Sequence, residues 1–250
     1  MKKIRAVSLI AFALIILLAP CPDAVSEVPR EAEAMMGRAH DLLRGGDNSG
    51  ALSKAQQARR IAPDCPELQA SVGVMYQLCG NGELALEQYE RVQSISLLRE
   101  GAPDSRLTRE IAEGEALMVY LANRDRIRHG LRPLRPHADL AIVARRHSRE
   151  MRDLGYFAHD SPRMQHRRPS DRFANLFGQP PVVIGENLAR MYSRPLWSFN
   201  LDNVHESHVR LMESEGHRNN ILWDKPLHIG VGIAVNERGD YWITENFSTI

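Results

Sequence analysis

The sequence predicts an α/β protein in two parts: an all-α helical repeat segment, then a layered domain with an antiparallel sheet. Three observations carry this. Small and large residues recur with a period of 34 across residues 32–99. Leu140, Val143, Ala144, His147, Met151 and Leu154 fall at helical spacing. Near the end, Ile229, Val231, Ile233 and Val235 alternate with Gly230, Gly232 and Ala234, the period of a strand with one bulky and one small face.

The chain of 250 residues is 43% hydrophobic and 25% charged, which excludes a disordered, collagen-like or many-span membrane protein. Thirty-two Lys+Arg against 31 Asp+Glu give a formal charge of +1, so there is no electrostatic case for nucleic-acid binding. Nine of the ten histidines fall between His129 and His228, which directs attention to the C-terminal part.

Lys2, Lys3 and Arg5 precede an apolar run from Ala6 to Ala19 that Pro20 ends. The run is shorter than the ~20 residues a membrane-spanning helix needs, so residues 1–26 read as a signal peptide cleaved after Ala24-Val25-Ser26. The mature chain is then expected to be exported, periplasmic or secreted, with no membrane span. Leu18-Ala19-Pro20-Cys21 leaves lipoprotein anchoring through Cys21 as the alternative, although Pro20 suits such a box poorly. Loss of Lys2, Lys3, Arg5 and Asp23 brings the net charge to about −1. Cys65 and Cys79 bracket one predicted helix and lie ~21 Å apart at ~1.5 Å per residue, too far for a disulfide.

Residues 27–99 form the repeat segment. Ala51 aligns with Ala85, Ala39 with Gly73, Leu42 with Tyr76, Gly46 with Gly80, Ala55 with Tyr89 and Ala58 with Val92. Small residues at Ala39 and Gly73 allow antiparallel helices to approach, and the glycines turn the chain between them. The pattern resembles the tetratricopeptide repeat, with Met35 and Gln69 where that family often has Trp. A generic pair of helical hairpins is the alternative. The role implied is contact with a protein partner or spacing, and a helix from about Leu107 to Leu121 is expected to cap the pair. Residues 100–112, with Gly101, Pro103 and Asp104, read as the linker and the start of that helix. Residues 113–250 form the second domain, expected to fold without residues 27–99.

In this domain Asn236-Glu237-Arg238-Gly239 turns the strand 229–235 back into Tyr241-Trp242-Ile243-Thr244. There is no GxSxG elbow, no phosphate loop and no cysteine between residues 107 and 250. His205-Glu206-Ser207-His208 is one residue too short for HExxH; two imidazoles at i and i+3 could share a metal or simply lie on a solvated helix face. His40, His129, His137, His166 and His208 read as surface residues, and His147 as a satisfied core histidine.

Four segments then occur in order: Asn123-Arg124-Asp125-Arg126 through Gly130-Leu131-Arg132-Pro133-Leu134; Phe157-Ala158-His159-Asp160-Ser161-Pro162; Gly185-Glu186-Asn187-Leu188-Ala189; and Gly216-His217-Arg218-Asn219-Asn220-Ile221-Leu222. They are followed by His228-Ile229-Gly230-Val231-Gly232 and Thr244-Glu245-Asn246-Phe247. Over about residues 113–250 this order resembles the CAP superfamily of cysteine-rich secretory, antigen 5 and pathogenesis-related 1 proteins, nearest its bacterial, disulfide-poor SCP-like branch. The resemblance implies an α-β-α sandwich with a cleft of two histidines and two acids that can hold a divalent ion, zinc foremost. His159 and His217 match the histidines and Glu186 matches the acid of the GEN segment. The fourth position is less well matched: Leu211 replaces an aromatic residue, and Glu213 is the candidate acid.

Two imidazoles are good donors for a borderline ion and leave positions open for water or ligand. Glu186 could orient or deprotonate such a water, and it could equally tie down a turn. The sequence therefore supports an exported binding module for an extracellular ligand, with a lipid, a sterol and a cell-envelope component as the classes implied. A metal-dependent hydrolase, peptidase-like, with Glu186 as general base is the alternative, and a scaffold with an inert cleft is the third reading.

Overall fold

The computed structural model describes residues 27–192 and 199–250. The expected leader and Cys21 lie outside the described residues. No helix among the described residues is long and apolar enough to cross a membrane.

The repeat segment is two helical hairpins, α1 (Arg30–Arg44) with α2 (Asn48–Ile61) and α3 (Pro66–Leu78) with α4 (Gly82–Arg99). The two turns are built alike. Gly46 and Gly80 take φ of 82° and 78°, a left-handed conformation that favours glycine. The next residues, Asp47 and Asn81, accept from the Gly50 and Leu84 N–H groups as N-caps. At Gly73 a Cβ would stand 2.6 Å from the Tyr89 ring, so the expected close approach of α3 and α4 is present and needs glycine. Cys65 and Cys79 sit at opposite ends of α3 and are not joined by a disulfide.

The next helix, α5 (Arg106–Arg128), runs unbroken across the expected boundary at 112/113. One side packs on α4 and on the end of α3: Gln77 Nε2 of α3 donates to the Tyr120 carbonyl at 2.9 Å, and Asn123 Nδ2 donates to Tyr89 Oη of α4 at 3.2 Å. The other side packs on β3 (His228–Val235) and α8 (Leu201–Glu213). The capping helix is thus also a layer of the second domain. Ala39, Tyr89, Val119 and Ile243 accordingly belong to one continuous apolar core.

The sheet has the order β1-β3-β4-β2, with β1 (Arg135–Pro136) parallel to β3 and the remaining pairs antiparallel, β2 being Ile184–Met191 and β4 Tyr241–Ser248. On one face lies α6 (Ala138–Leu154), which coincides with the predicted amphipathic helix. A Cβ at Gly230 would meet the Leu140 carbonyl carbon at 2.3 Å, and one at Gly232 the Arg145 backbone nitrogen at 2.0 Å. The small face of β3 therefore admits the backbone of α6. The opposite face is covered by α5 and α8, completing the α-β-α sandwich. The short helices α7 (Pro169–Phe177) and α9 (Glu215–Ile221) flank the edge strand β2.

A buried ionic cluster joins the parts. Arg145 of α6 donates to Glu115 of α5 through Nε (2.9 Å) and Nη2 (2.6 Å), and through Nη1 to Glu100 just beyond α4. Glu115 also accepts the Ile233 N–H at 2.9 Å, beyond the end of the short partner β1. Each charge is paired, as burial requires.

Candidate functional site

The expected site residues lie on both sides of the edge strand β2. Directly paired residues of antiparallel strands share a face, so Glu186, opposite Asn246, points to the α6 side, and Asn187, opposite Glu245, points to the α9 side. From the first side comes His159, on the segment after α6. From the other comes His217 of α9.

Glu186 is buried, and both carboxylate oxygens are engaged. Oε1 accepts from His159 Nδ1 at 2.9 Å and Oε2 from Arg172 Nη2 at 2.7 Å. Arg172, in α7, is buried too, and its Nη1 donates to the carbonyls of His159, His166 and Arg167. One guanidinium thus holds both the acid and the backbone of the histidine that the acid orients. His147 completes the wall: Nε2 donates to the Ala158 carbonyl at 3.1 Å and lies 3.9 Å from Glu186 Oε1. It is the satisfied core histidine expected, fully buried beside Glu186.

On the α9 side, amides do the positioning. Asn187 Nδ2 donates to the His217 carbonyl and to Glu245 Oε2, both at 3.1 Å. Asn220 Nδ2 donates to the Glu186 carbonyl and to Asn187 Oδ1. The GEN and GHRNN segments are therefore laced together through Asn187 and Asn220. The first segment also acts structurally: Arg126 Nη1 donates to the carbonyls of Ile221 and Trp223 at 2.7 Å, fixing the end of α9, and Asn123 pairs with the Leu134 backbone in both directions.

The two histidines are displaced in opposite directions. The hydrogen bond to Glu186 raises the His159 pKa above its ordinary value. Burial, and then the nearby His159, lower that of His217. Exposed Glu213 closes α8 and makes no hydrogen bond or ion pair with His159, Glu186 or His217. Among the described residues no group of three or more His, Cys, Asp or Glu side chains is arranged to hold a metal ion. His159 and His217 offer at most two imidazoles, fewer than the three or four protein ligands of a typical zinc site.

Three buried polar groups depart from the sequence expectation or escape it. His208 is not a surface residue: it lies on the buried face of α8 with Val204 and Leu211, and its Nε2 donates to Asp125 Oδ2 at 2.8 Å. His205 is exposed, so the two do not face one ion. Arg172 reads in the sequence only as a residue after a helix start; its signal, an arginine beside the apolar residue Phe173, is too common to find it. Glu245 is fully buried, with Asn187 as hydrogen-bond partner, and burial pushes its pKa up to about 7.

The sequence pattern of the cysteine-rich secretory protein family, CAP, matches residues 119–247. Over 134 residues the chain is 37% identical to the uncharacterized protein YkwD of Bacillus subtilis (strain 168), covering 53% of this chain and 46% of that protein. The chain thus spans about half the length of the curated relative it matches. Among solved structures it is similar to an extracellular protein containing an SCP domain from Bacillus anthracis str. Ames, with 27% identity and a TM-score of 0.47 over 62% of this chain and 50% of that one. It is also similar to an outer surface protein from Borrelia burgdorferi, with 15% identity and a TM-score of 0.46 over 55% of this chain and 92% of that one. With the family pattern spanning about half the chain, from α5 to the last strand, the protein belongs to the cysteine-rich secretory protein (CAP) family.

Proposed function

We propose that the chain is an exported CAP-domain binding protein whose cleft between His159 and His217 takes an extracellular ligand, a divalent ion such as zinc sharing the two imidazoles with that ligand. The carrying observation is the relay Arg172–Glu186–His159, which fixes the Nδ1 edge of His159 and leaves Nε2 as its remaining donor. With two protein donors the ion keeps several positions for water or ligand oxygens, as a recognition site requires. A lipid, a sterol or a cell-envelope component is the ligand class suggested by the family. Export through residues 1–26 agrees with the word "extracellular" carried by the B. anthracis protein. The two hairpins, tetratricopeptide-like in their matched turns, supply the contact with a protein partner.

Hydrolysis is the second reading, and the opposite pKa displacements of His159 and His217 favour it, since such a pair can divide acid and base roles. Glu186 suits the part of general base poorly, because both of its oxygens already accept charge-assisted hydrogen bonds.

Zinc stoichiometry of purified protein tests the first reading. The wild type is expected to retain about one equivalent and the His159→Ala/His217→Ala variant none; equal stoichiometry in a folded variant contradicts the metal site. Metal-dependent turnover of a peptide or ester library that vanishes in the same variant would instead establish the hydrolase.

A further inference from the structure

At the C-terminal end of α7 two further imidazoles meet. His137 stands between β1 and α6, and His228 opens β3 beside its register partner Arg135 on β1. Their rings lie edge to face with centroids 5.5 Å apart, and both side chains are half-buried. His137 also rests on Phe177, the last residue of α7, at 5.7 Å, and Phe177 stacks on buried Phe173 at 4.2 Å. Phe173 follows Arg172, which holds both Glu186 and the His159 backbone. A continuous line of packed side chains thus runs from the imidazole pair to the cleft.

This packing suits the pair only as neutral rings. His137 is the N-cap of α6, and its Nδ1 accepts the Leu140 N–H at 3.4 Å. A second ring proton would occupy that nitrogen, abolish the cap and set a cation at the positive end of the helix dipole. His228 Nδ1 is buried without a hydrogen-bond partner among the described residues, so a proton there would find no acceptor. The surrounding charges offset little of this. Arg135 on β1 and Arg99 on α4 are cations, and α7 presents the uncharged Phe177. Of the two acids in reach, Asp139 in the first turn of α6 is drawn to Arg99 at 3.0 Å, which leaves Glu67 on α3. Burial, ahead of Asp139 and Glu67, lowers the His137 pKa. Burial, then Arg135 and His137, push that of His228 down to about 3. Rings freed into water would return toward about 6.5. The closed packing therefore binds fewer protons than an open one: it is fully favoured above about pH 6.5 and progressively disfavoured below it.

We propose that His137 and His228 form an acid-sensitive latch on α7: acidification protonates the pair, drives the rings apart and off Phe177, and loosens the helix whose Arg172 holds Glu186 and His159. The cleft is held in place at neutral pH and relaxed in acid, whatever it binds.

Hydrogen exchange of the full chain tests this, read by mass spectrometry over residues 169–177 between about pH 8 and about pH 5. After division by the intrinsic exchange rate at each pH, protection of α7 is expected to fall by about tenfold or more across the interval, with the β3–β4 hairpin protected throughout. In His137→Asn/His228→Gln, where Asn keeps a neutral cap and neither residue titrates, the fall should disappear. A fall that persists in the variant assigns the sensing to His147 or His159 and overturns the latch. Constant protection in the wild type, or loss of the hairpin together with α7, overturns it as well. NMR of the wild-type rings decides the case in which the variant loosens α7 at every pH. His137 and His228 should take up protons only as α7 opens, and titration of either ring with α7 still protected contradicts the proposal. No zinc enters either measurement, so the outcome is separate from that of the metal test.

Discussion

Glu186 and Arg172 are joined by a 2.7 Å ion pair with both side chains at least 95% buried, and this pair holds His159 in place. The acid alone would be an uncompensated charge in the interior, and the arginine likewise. Joined, they hold His159 from two directions, through its ring and through its backbone carbonyl.

Breaking this pair from one side is therefore expected to be severe. Arg172→Met leaves Glu186 buried without its cation and should cost about 3–5 kcal/mol of stability, the range for removing one partner of a buried pair. Urea denaturation at neutral pH measures it. A loss below ~1 kcal/mol, the range of exposed pairs, would mean that the pair is solvated.

Glu245 predicts a pH dependence. Its pKa in the folded protein is about 7, against 4.5 for an ordinary glutamate, so the fold prefers the neutral carboxyl. Stability from this group is complete below about pH 4.5 and is lost as pH rises through about 7, by on the order of 3 kcal/mol in all. Glu245→Gln keeps the shape and removes the titration. It should melt higher than wild type at pH 8 and close to wild type at pH 4.5, a comparison that thermal denaturation at the two pH values makes. An equal difference at both would assign the effect to something other than ionisation.

The contact of β3 with α6 predicts a steric failure. The added Cβ in Gly232→Ala would meet the backbone of Arg145, which cannot rotate away as a side chain can. A loss of ~3 kcal/mol or more is expected, at or above the upper end for overpacking, read from the urea midpoint. Gly216→Ala, where nothing lies within 4 Å of the new Cβ, serves as the control and should be nearly neutral.

The shared helix α5 changes what truncation should do. The sequence pattern suggests a C-terminal domain that folds alone, yet removal of residues 27–99 uncovers the α4 side of α5, takes Tyr89 from Asn123 and takes Ser96 from the Ala138 carbonyl. The truncated chain is expected to lose its cooperative thermal transition. A sharp transition in the fragment would restore the view of two independent domains.

These cases divide what sequence reading reaches from what it does not. Helix α6, the β3–β4 hairpin and the paired turns at Gly46 and Gly80 follow from local periodicity and turn chemistry, and they stand where the pattern puts them. His159 and Glu186 are legible through short motifs, and the structure brings them into contact. Arg172, Glu245 and His208 are not legible in their roles. Each is defined by a buried partner at 14, 58 and 83 residues' separation, and no local period encodes such a pairing. The boundary at 112/113 falls inside the expected capping helix: Gly101 and Pro103 mark a chain turn before α5, while packing on both faces of that helix is set by residues distant in sequence.

The central claim, that His159 and His217 act as one ion-binding pair on the Glu186–Arg172 platform, is tested most directly by following both imidazoles by NMR through a pH titration with and without zinc. Without zinc, His159 should titrate above the ordinary value of 6.5 and His217 below it. With one equivalent of zinc, both should leave the titration together. If zinc leaves either ring titrating as before, the pair does not hold the ion and the account fails.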